Sequence, residues 1–219
     1  MNRAPMTTED GSHTLYVPSL NEHYHSVHGA IQESRHIYIR EGLEYLGRPA
    51  VSVLEAGFGT GLNAYLSLLY AEEHSCRITY HTVEKYPLKP EETEQLNYKT
   101  VIPSGNPELF DRLHHCPWEK ETALTPYFTF CKHHGDFREI QFPPRFDVVF
   151  FDAFNPDVQP HLWTEETLRP FRDALVPGGI FVTYCVKGAV KQALRNLNFT
   201  LEKLPGPPGK REILRGTRN

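Results

Sequence analysis

The sequence predicts an α/β fold built on a mostly parallel sheet. Three observations point there. Short β-branched or aromatic runs alternate with stretches of helical period, a glycine-rich turn joins a strand to the helix after it, and residues 146–151, apolar but for Asp147, suit a strand buried on both faces. The first fifty residues lack this rhythm and read as an extension, with small strands of its own at 14–17 and 36–39. Residues 51–56 are a strand, Gly57-Phe58-Gly59-Thr60-Gly61 the turn, and Leu62, Tyr65, Leu66, Leu68 and Leu69 recur at helical spacing. A strand at 77–83 ending at Glu84, a polar helix at 90–98 and a strand at 127–131 come next. Residues 146–152 are the central strand, 162–175 a helix, 177–179 a tight turn and 180–186 a strand, and 200–203 with 211–215 close the sheet as an antiparallel pair.

Composition fits one globular domain. Of 219 residues, 39% are hydrophobic and 23% charged, and 15 Gly with 18 Pro fall well short of a low-complexity chain. The polar start, with Glu9 and Asp10, has no basic segment leading into an apolar one, and no window approaches the roughly 18 apolar residues of a membrane span. A cytoplasmic protein with no membrane partner is expected. Cys76, Cys116, Cys131 and Cys185 are scattered, which suits four thiols and neither a disulfide nor a cysteine zinc site. Net charge is −4, distributed as +6 over residues 185–219 and −10 over the rest. Such a basic segment is either a phosphate-contacting surface or simply a solvated one.

The glycine turn carries the first chemical signal. Dinucleotide sites use G-x-G-x-x-G, which would put glycine at Leu62; the spacing Glu55-x-Gly57-x-Gly59-x-Gly61 instead suits the turn that borders the aminoacyl part of S-adenosylmethionine, or a tight turn with no ligand. Glu84, 23 residues beyond Gly61 at a strand end, is placed to accept both ribose hydroxyls. Asp136 stands where an acid meets the adenine amino group, or merely completes a Gly-Asp turn. Asp152-Ala153-Phe154-Asn155-Pro156 lies at the carboxyl end of the central strand, where open α/β sheets hold their ligands. Asp152 there either faces an acceptor amine or caps the loop.

The sequence resembles the methyltransferase family that forms 5-methylaminomethyl-2-thiouridine at the tRNA wobble position, free-standing as MnmD or as the N-terminal part of bifunctional MnmC. The resemblance runs from about Tyr24 onward. It rests on Tyr24-His25-Ser26-x-x-Gly29, Glu33-Ser34-Arg35, Glu55-Ala56-Gly57-Phe58-Gly59-Thr60-Gly61-Leu62-Asn63, Glu84-Lys85-Tyr86-Pro87-Leu88, Gly135-Asp136, Asp152-Ala153-Phe154-Asn155-Pro156 with Trp163, and Gly209-Lys210-Arg211-Glu212. It implies a Rossmann-like class I fold with a mostly parallel seven-stranded sheet, residues 49–219, and an extension, residues 1–48, packed on it. It also implies S-adenosyl-L-methionine as donor, S-adenosyl-L-homocysteine as product, no metal, and the aminomethyl group of a wobble uridine as acceptor. The cofactor would then meet Glu55, Gly57, Phe58, Gly59, Thr60, Gly61, Asn63, Glu84, Lys85, Asp136 and Asp152, with Asp152 also the catalytic group. Bifunctional relatives continue into an FAD-dependent oxidase; this chain is expected to transfer methyl groups alone, with another enzyme supplying the aminomethyl substrate.

A primary alkylamine with lysine-like pKa is only on the order of one part in a thousand neutral at pH 7. Asp152 is therefore expected to orient the amine and stabilise positive charge growing on nitrogen, with proton loss to it or to water. Binding of the tRNA anticodon arm is expected to draw on Lys187, Lys191, Arg195, Lys210 and Arg211, with Tyr24, Ser26 and Phe154 near the splayed base. Histidines at 23, 25 and 28 and in the pairs 114–115 and 133–134 suit hydrogen bonding more than metal ligation. Two rivals remain, an aminopropyltransferase resembling spermidine synthase and an RNA-binding module without catalysis.

Overall fold

The computed structural model describes residues 2–139 and 141–219. Strands β1 (Ala4–Thr7), β2 (His13–Val17) and β3 (Glu22–His23) form a small antiparallel sheet, followed by helix α1 (Ala30–Ser34) and a π-helix (Arg35–Glu44). The main unit runs β4 (Ala50–Ala56), α2 (Leu62–His74), β5 (Arg77–Glu84), α3 (Pro90–Glu94), α4 (Tyr98–Val101), α5 (Pro107–His115), β6 (Thr122–Thr125), β7 (Phe128–His134) and β8 (Phe146–Phe151). A 3₁₀ turn (Pro160–Trp163), α6 (Glu165–Ala174), β9 (Leu175–Thr183), α7 (Gly188–Asn196), β10 (Phe199–Pro205) and β11 (Glu212–Arg218) complete it.

The large sheet has the order β10-β11-β9-β8-β4-β5-β7-β6. β4, β5, β7, β8 and β9 run parallel, while β6, β10 and β11 pair antiparallel with their neighbours. From β4 the chain moves outward through β5 and β7, then returns to β8 on the other side. The direction of winding thus reverses between β4 and β8, and an open parallel sheet leaves a crevice beyond its carboxyl ends at that point. Both the glycine turn after β4 and Asp152 after β8 open onto this crevice. Alternate residues of β4 enter different cores: Val51 and Val53 pack with α2 on one face, while Leu54 and Ala56 pack with Trp163, Leu168 and Phe171 on the other.

The structure corrects several sequence expectations. The sheet has eight strands, because the short segment Thr122–Thr125, with no clear alternation of its own, covers the edge of β7. Residues 36–39 are helical: Ile37 and Ile39 mimic strand alternation, but the π-helix is wedged against β8, β9 and α2, so Ile37, Tyr38 and Ile39 are all buried. Pro177-Gly178-Gly179 lies within β9, as a bulge between the Phe146–Leu175 and Val148–Ile180 pairings. The helix expected at 90–98 breaks between α3 and α4, where Asn97 accepts a hydrogen bond from His13 N at 2.8 Å and donates one to Gly11 O at 2.9 Å.

Candidate active site

A cavity of about 430 Å³ opens at the carboxyl ends of β4, β5 and β8. One side is the glycine bend. Gly57, Gly59 and Gly61 have φ of +90°, +50° and +75°, which side-chain-bearing residues rarely adopt. Space confirms the requirement: a Cβ on Gly59 would lie 3.0 Å from the Tyr24 ring, and one on Gly61 would lie 2.8 Å from His114 Nε2. The bend closes through Gly61 N–H donating to Phe58 O at 2.8 Å and leads into α2, where Tyr65 N–H donates to Gly61 O. Glu84 stands at the end of β5, its Oε2 accepting Gly59 N–H at 2.9 Å and its Oε1 accepting Tyr86 N–H at 2.7 Å. Two backbone donors fix the carboxylate and leave lone pairs toward the cavity.

Asp136, after β7, accepts from Arg138 Nε at 2.9 Å and from Lys85 Nζ at 2.9 Å. Arg138, ahead of Lys85, holds this carboxyl well below the ordinary range. An adenine amino group can bond it only by sharing or displacing these partners.

The opposite side is built around Asp152. Asn63 on α2 donates to its Oδ2 at 2.9 Å. Burial, then the charge of Glu33, raises the Asp152 pKa, while the charge of His25, the nearby Tyr38 hydroxyl and the hydrogen bond from Asn63 oppose the rise. His25 Nε2 is 2.8 Å from Thr60 Oγ1, which ties the N-terminal segment to the glycine bend. Glu33 accepts Ser26 N–H at 2.8 Å and faces Lys210 Nζ at 3.2 Å. Tyr184 donates its hydroxyl to Ala153 O at 2.8 Å. Tyr24 roofs Gly59, meets Phe154 edge-on at 5.1 Å, and accepts a hydrogen bond from Arg3 Nε at 2.9 Å; burial and the charge of Glu84 push its own pKa up to about 12.

Of the residues expected at the site, Tyr24, Ser26, Gly57, Phe58, Gly59, Thr60, Asn63, Glu84, Lys85, Asp136, Asp152, Phe154 and Lys210 line this one cavity. Glu55 does not. It is fully buried on β4, crowded by Thr82, Asn63 and Tyr80, and burial, then the charge of Asp152, raises its pKa well above the ordinary carboxylate value. Gly61 shapes the bend from behind the lining. Lys187 caps α7 and pairs with Asp157, and Arg211 is exposed on the β10–β11 turn, so both lie outside the cavity. Sequence reasoning missed Glu33, Tyr38 and Tyr184. Only the Glu33-Ser34-Arg35 motif signalled any of them, and nothing local assigns Glu33 to the pocket.

The cysteines are buried thiols. His81, Cys131 and His133 converge so that their ligand atoms lie within 4.8 Å of one another. Their nitrogens are already engaged without an ion: His81 Nδ1 and His133 Nε2 share a hydrogen bond of 2.9 Å, Glu119 Oε2 is 2.8 Å from His133 Nδ1, and the Arg145 guanidinium lies 2.9 Å from His81 Nε2. Among the described residues, no helix is long and apolar enough to cross a membrane.

The left-handed glycine bend, the fixed carboxylate of Glu84 and the volume beside them suit S-adenosyl-L-methionine. Comparison with known proteins agrees. Residues 127–219 match the family described as S-adenosyl-L-methionine-dependent methyltransferase. The MnmC protein of Aromatoleum aromaticum, named for bifunctional biosynthesis of tRNA 5-methylaminomethyl-2-thiouridine, is 30% identical across 95% of this chain, which spans about a third (34%) of that relative. The crystal structure of MnmC2 from Aquifex aeolicus superposes with a TM-score of 0.77 at 26% identity, covering 98% of this chain and 70% of that one. Spermidine synthase from Thermotoga maritima reaches a TM-score of 0.52 at 14% identity, with 100% and 72% covered, a likeness of fold alone. Pocket, fold and sequence together place this chain among the S-adenosyl-L-methionine-dependent methyltransferases, as an enzyme of the Rossmann-like class I fold that is similar over nearly its whole length to a part of MnmC.

Proposed function

We propose that the chain methylates the exocyclic amine of 5-aminomethyl-(2-thio)uridine at the wobble position of tRNA, giving 5-methylaminomethyl-(2-thio)uridine. The observation that carries this is the cavity itself, which sets a cofactor-type glycine bend and Glu84 on one side and two carboxylates, Asp152 and Glu33, on the other. Acidic groups on the acceptor side attract an alkylammonium and disfavour an anionic acceptor. Similarity to MnmC over nearly the whole chain supports the same substrate class.

S-adenosyl-L-methionine supplies a methyl group on a positively charged sulfur. Glu84 would hold the ribose, the bend from Gly57 to Thr60 the methionine end, and Asp136 with Lys85 the adenine end. Asp152 and Asn63 orient the acceptor nitrogen. The raised pKa of Asp152 brings it nearer to that of the amine, so it both offsets charge growing on nitrogen and takes up a proton more readily than an exposed aspartate. No metal takes part in this scheme. Residues 1–48 serve as the roof over the methyltransferase unit, residues 49–219. Other chemistry supplies the aminomethyl group, and these residues carry out the methyl transfer.

For the RNA, we assign phosphate contacts to Lys187, Lys191, Arg195 and Arg211, on α7 and the β10–β11 turn. Neutralising Lys191, Arg195 and Arg211 together should weaken tRNA binding and lower the salt slope by roughly one unit per lost contact. An unchanged slope in filter binding across a salt series would return them to the solvated surface. The function is tested by incubation with methyl-labelled S-adenosyl-L-methionine and tRNA bearing 5-aminomethyl wobble uridines, followed by nucleoside analysis. Label in 5-methylaminomethyluridine is expected, and its absence with folded, cofactor-binding protein refutes the assignment.

A further inference from the structure

Lys210 sits where an acceptor amine belongs. Its ammonium lies 3.2 Å from Glu33 Oε1 and 4.7 Å from the centre of the Tyr184 ring, which it overlies. A carboxylate on one side and an aromatic face on another are what an alkylammonium ligand seeks. Both walls are rigid. Glu33 is pinned by Ser26 N–H, and Tyr184 by its hydroxyl bond to Ala153 O, next to Asp152. The walls also share the field of the reacting carboxylate: Glu33 raises the pKa of Asp152, and Asp152 raises that of Tyr184. Glu33, Tyr184, Asp152 and Lys210 all line the one cavity.

The lysine is delivered by a tight turn. Gly206 N–H donates to Arg211 O, and Lys210 N–H donates to Pro207 O. Gly209, at φ +82°, packs so close to His28 that a Cβ there would lie 2.2 Å from the ring. The β10–β11 turn is thus held against the N-terminal segment, with Lys210 aimed inward and its side chain only 29% exposed.

We propose that Glu33 and Tyr184 form the ammonium subsite for the acceptor, and that Lys210 is its resident cation, displaced when the substrate amine enters. The subsite takes primary alkylammonium groups carried on a flat ring. The displaced lysine then swings toward the cavity mouth, where RNA phosphate is the available counter-charge. Selectivity follows: an unmodified uridine brings no charge to replace Lys210 and leaves the Glu33–Lys210 pair intact.

This inference rests on the amine-methyltransferase reading, and two probes separate the two. Binding of 5-aminomethyluridine and of benzylamine, the latter free of any RNA feature, is measured by calorimetry with S-adenosyl-L-homocysteine present. Uridine is the uncharged control, and the affinity for S-adenosyl-L-homocysteine, measured on its own, reports that each variant is folded. Lys210→Met removes the competitor and should tighten both amines about threefold to fivefold, the range of a modest, partly solvated ion pair. Lys210→Arg, which can still reach Glu33, should bind like the natural protein. Glu33→Gln retains an acceptor for Ser26 N–H but should weaken both amines about tenfold, with uridine unaffected. Unchanged or weaker amine binding in Lys210→Met overturns the proposal, as does a Glu33→Gln variant that binds amines normally. A protein that methylates no tRNA yet shows these amine shifts would overturn the wobble-uridine reading while the ammonium subsite stands.

Discussion

Asp152 and Glu55 are two buried acids with different fates. Asp152 is reached by Asn63, Tyr38 and the charge of His25, which favour its charged form; Glu55 meets no positive charge, and burial, then the charge of Asp152, raises its pKa well above the ordinary value. Asp152→Asn should lower kcat about 100-fold while the cofactor Kd moves far less, a split read by steady-state kinetics and calorimetry. On the proposed mechanism, activity should also fall as pH drops through the Asp152 pKa, which burial raises from its ordinary value, because the protonated acid would no longer offset charge on the acceptor amine. The pH profile of kcat/KM checks this, and Asp152→Asn should lack that limb. Glu55 makes a stability prediction. Its folded pKa lies above its unfolded one, so the folded state binds more protons in between, and stability declines as pH rises through that window. Glu55→Gln should therefore raise Tm at pH 7 and not at pH 4, by scanning calorimetry. At this scale the sequence revealed what is local: Gly57, Gly59, Glu84 and Asp152 each lie at a strand end in a recognisable pattern. Glu33, Tyr38 and Tyr184 escaped notice because their roles exist only through contacts with distant segments, and Glu55 was misplaced because a motif fixes adjacency but not which way a side chain on β4 faces.

Among the elements, the glycine bend and the N-terminal segment act as one part. Gly59→Ala would put a methyl group into a left-handed position, costing about 1–2 kcal/mol, and push Tyr24 out of the roof. The expected result is a loss of roughly tenfold in S-adenosyl-L-homocysteine affinity, measured by calorimetry. The parallel strands were legible from short apolar, β-branched or aromatic stretches, the most continuous being 148–151 in β8 and 180–182 in β9, as burial on both faces demands. β6 was not, since four residues at an edge have no face to declare, and the π-helix was not, since close packing on several sides buries Ile37 through Ile39 without periodicity.

Across the whole molecule, Arg3 shows how the roof is fastened. Its side chain is only 3% exposed, and it joins Tyr24 to Glu92 at 2.9 Å and to the Tyr86 carbonyl. Removing one member of such a buried pair typically costs about 3 kcal/mol, so Arg3→Ala should lose about that much by urea titration and bind cofactor more weakly. Fold class was readable from the alternation of elements, but closure of the cavity by residues 3–33 and by the β10–β11 turn was not, because it depends on where distant segments land. The strand order has a consequence for biosynthesis. β11 lies between β9 and β10, and the turn before it carries Lys210 to the pocket. A nascent chain on the ribosome can lay down β4 through β9, but β9 keeps a bare flank, and the acceptor chamber stays open, until residues 212–218 emerge and slot in.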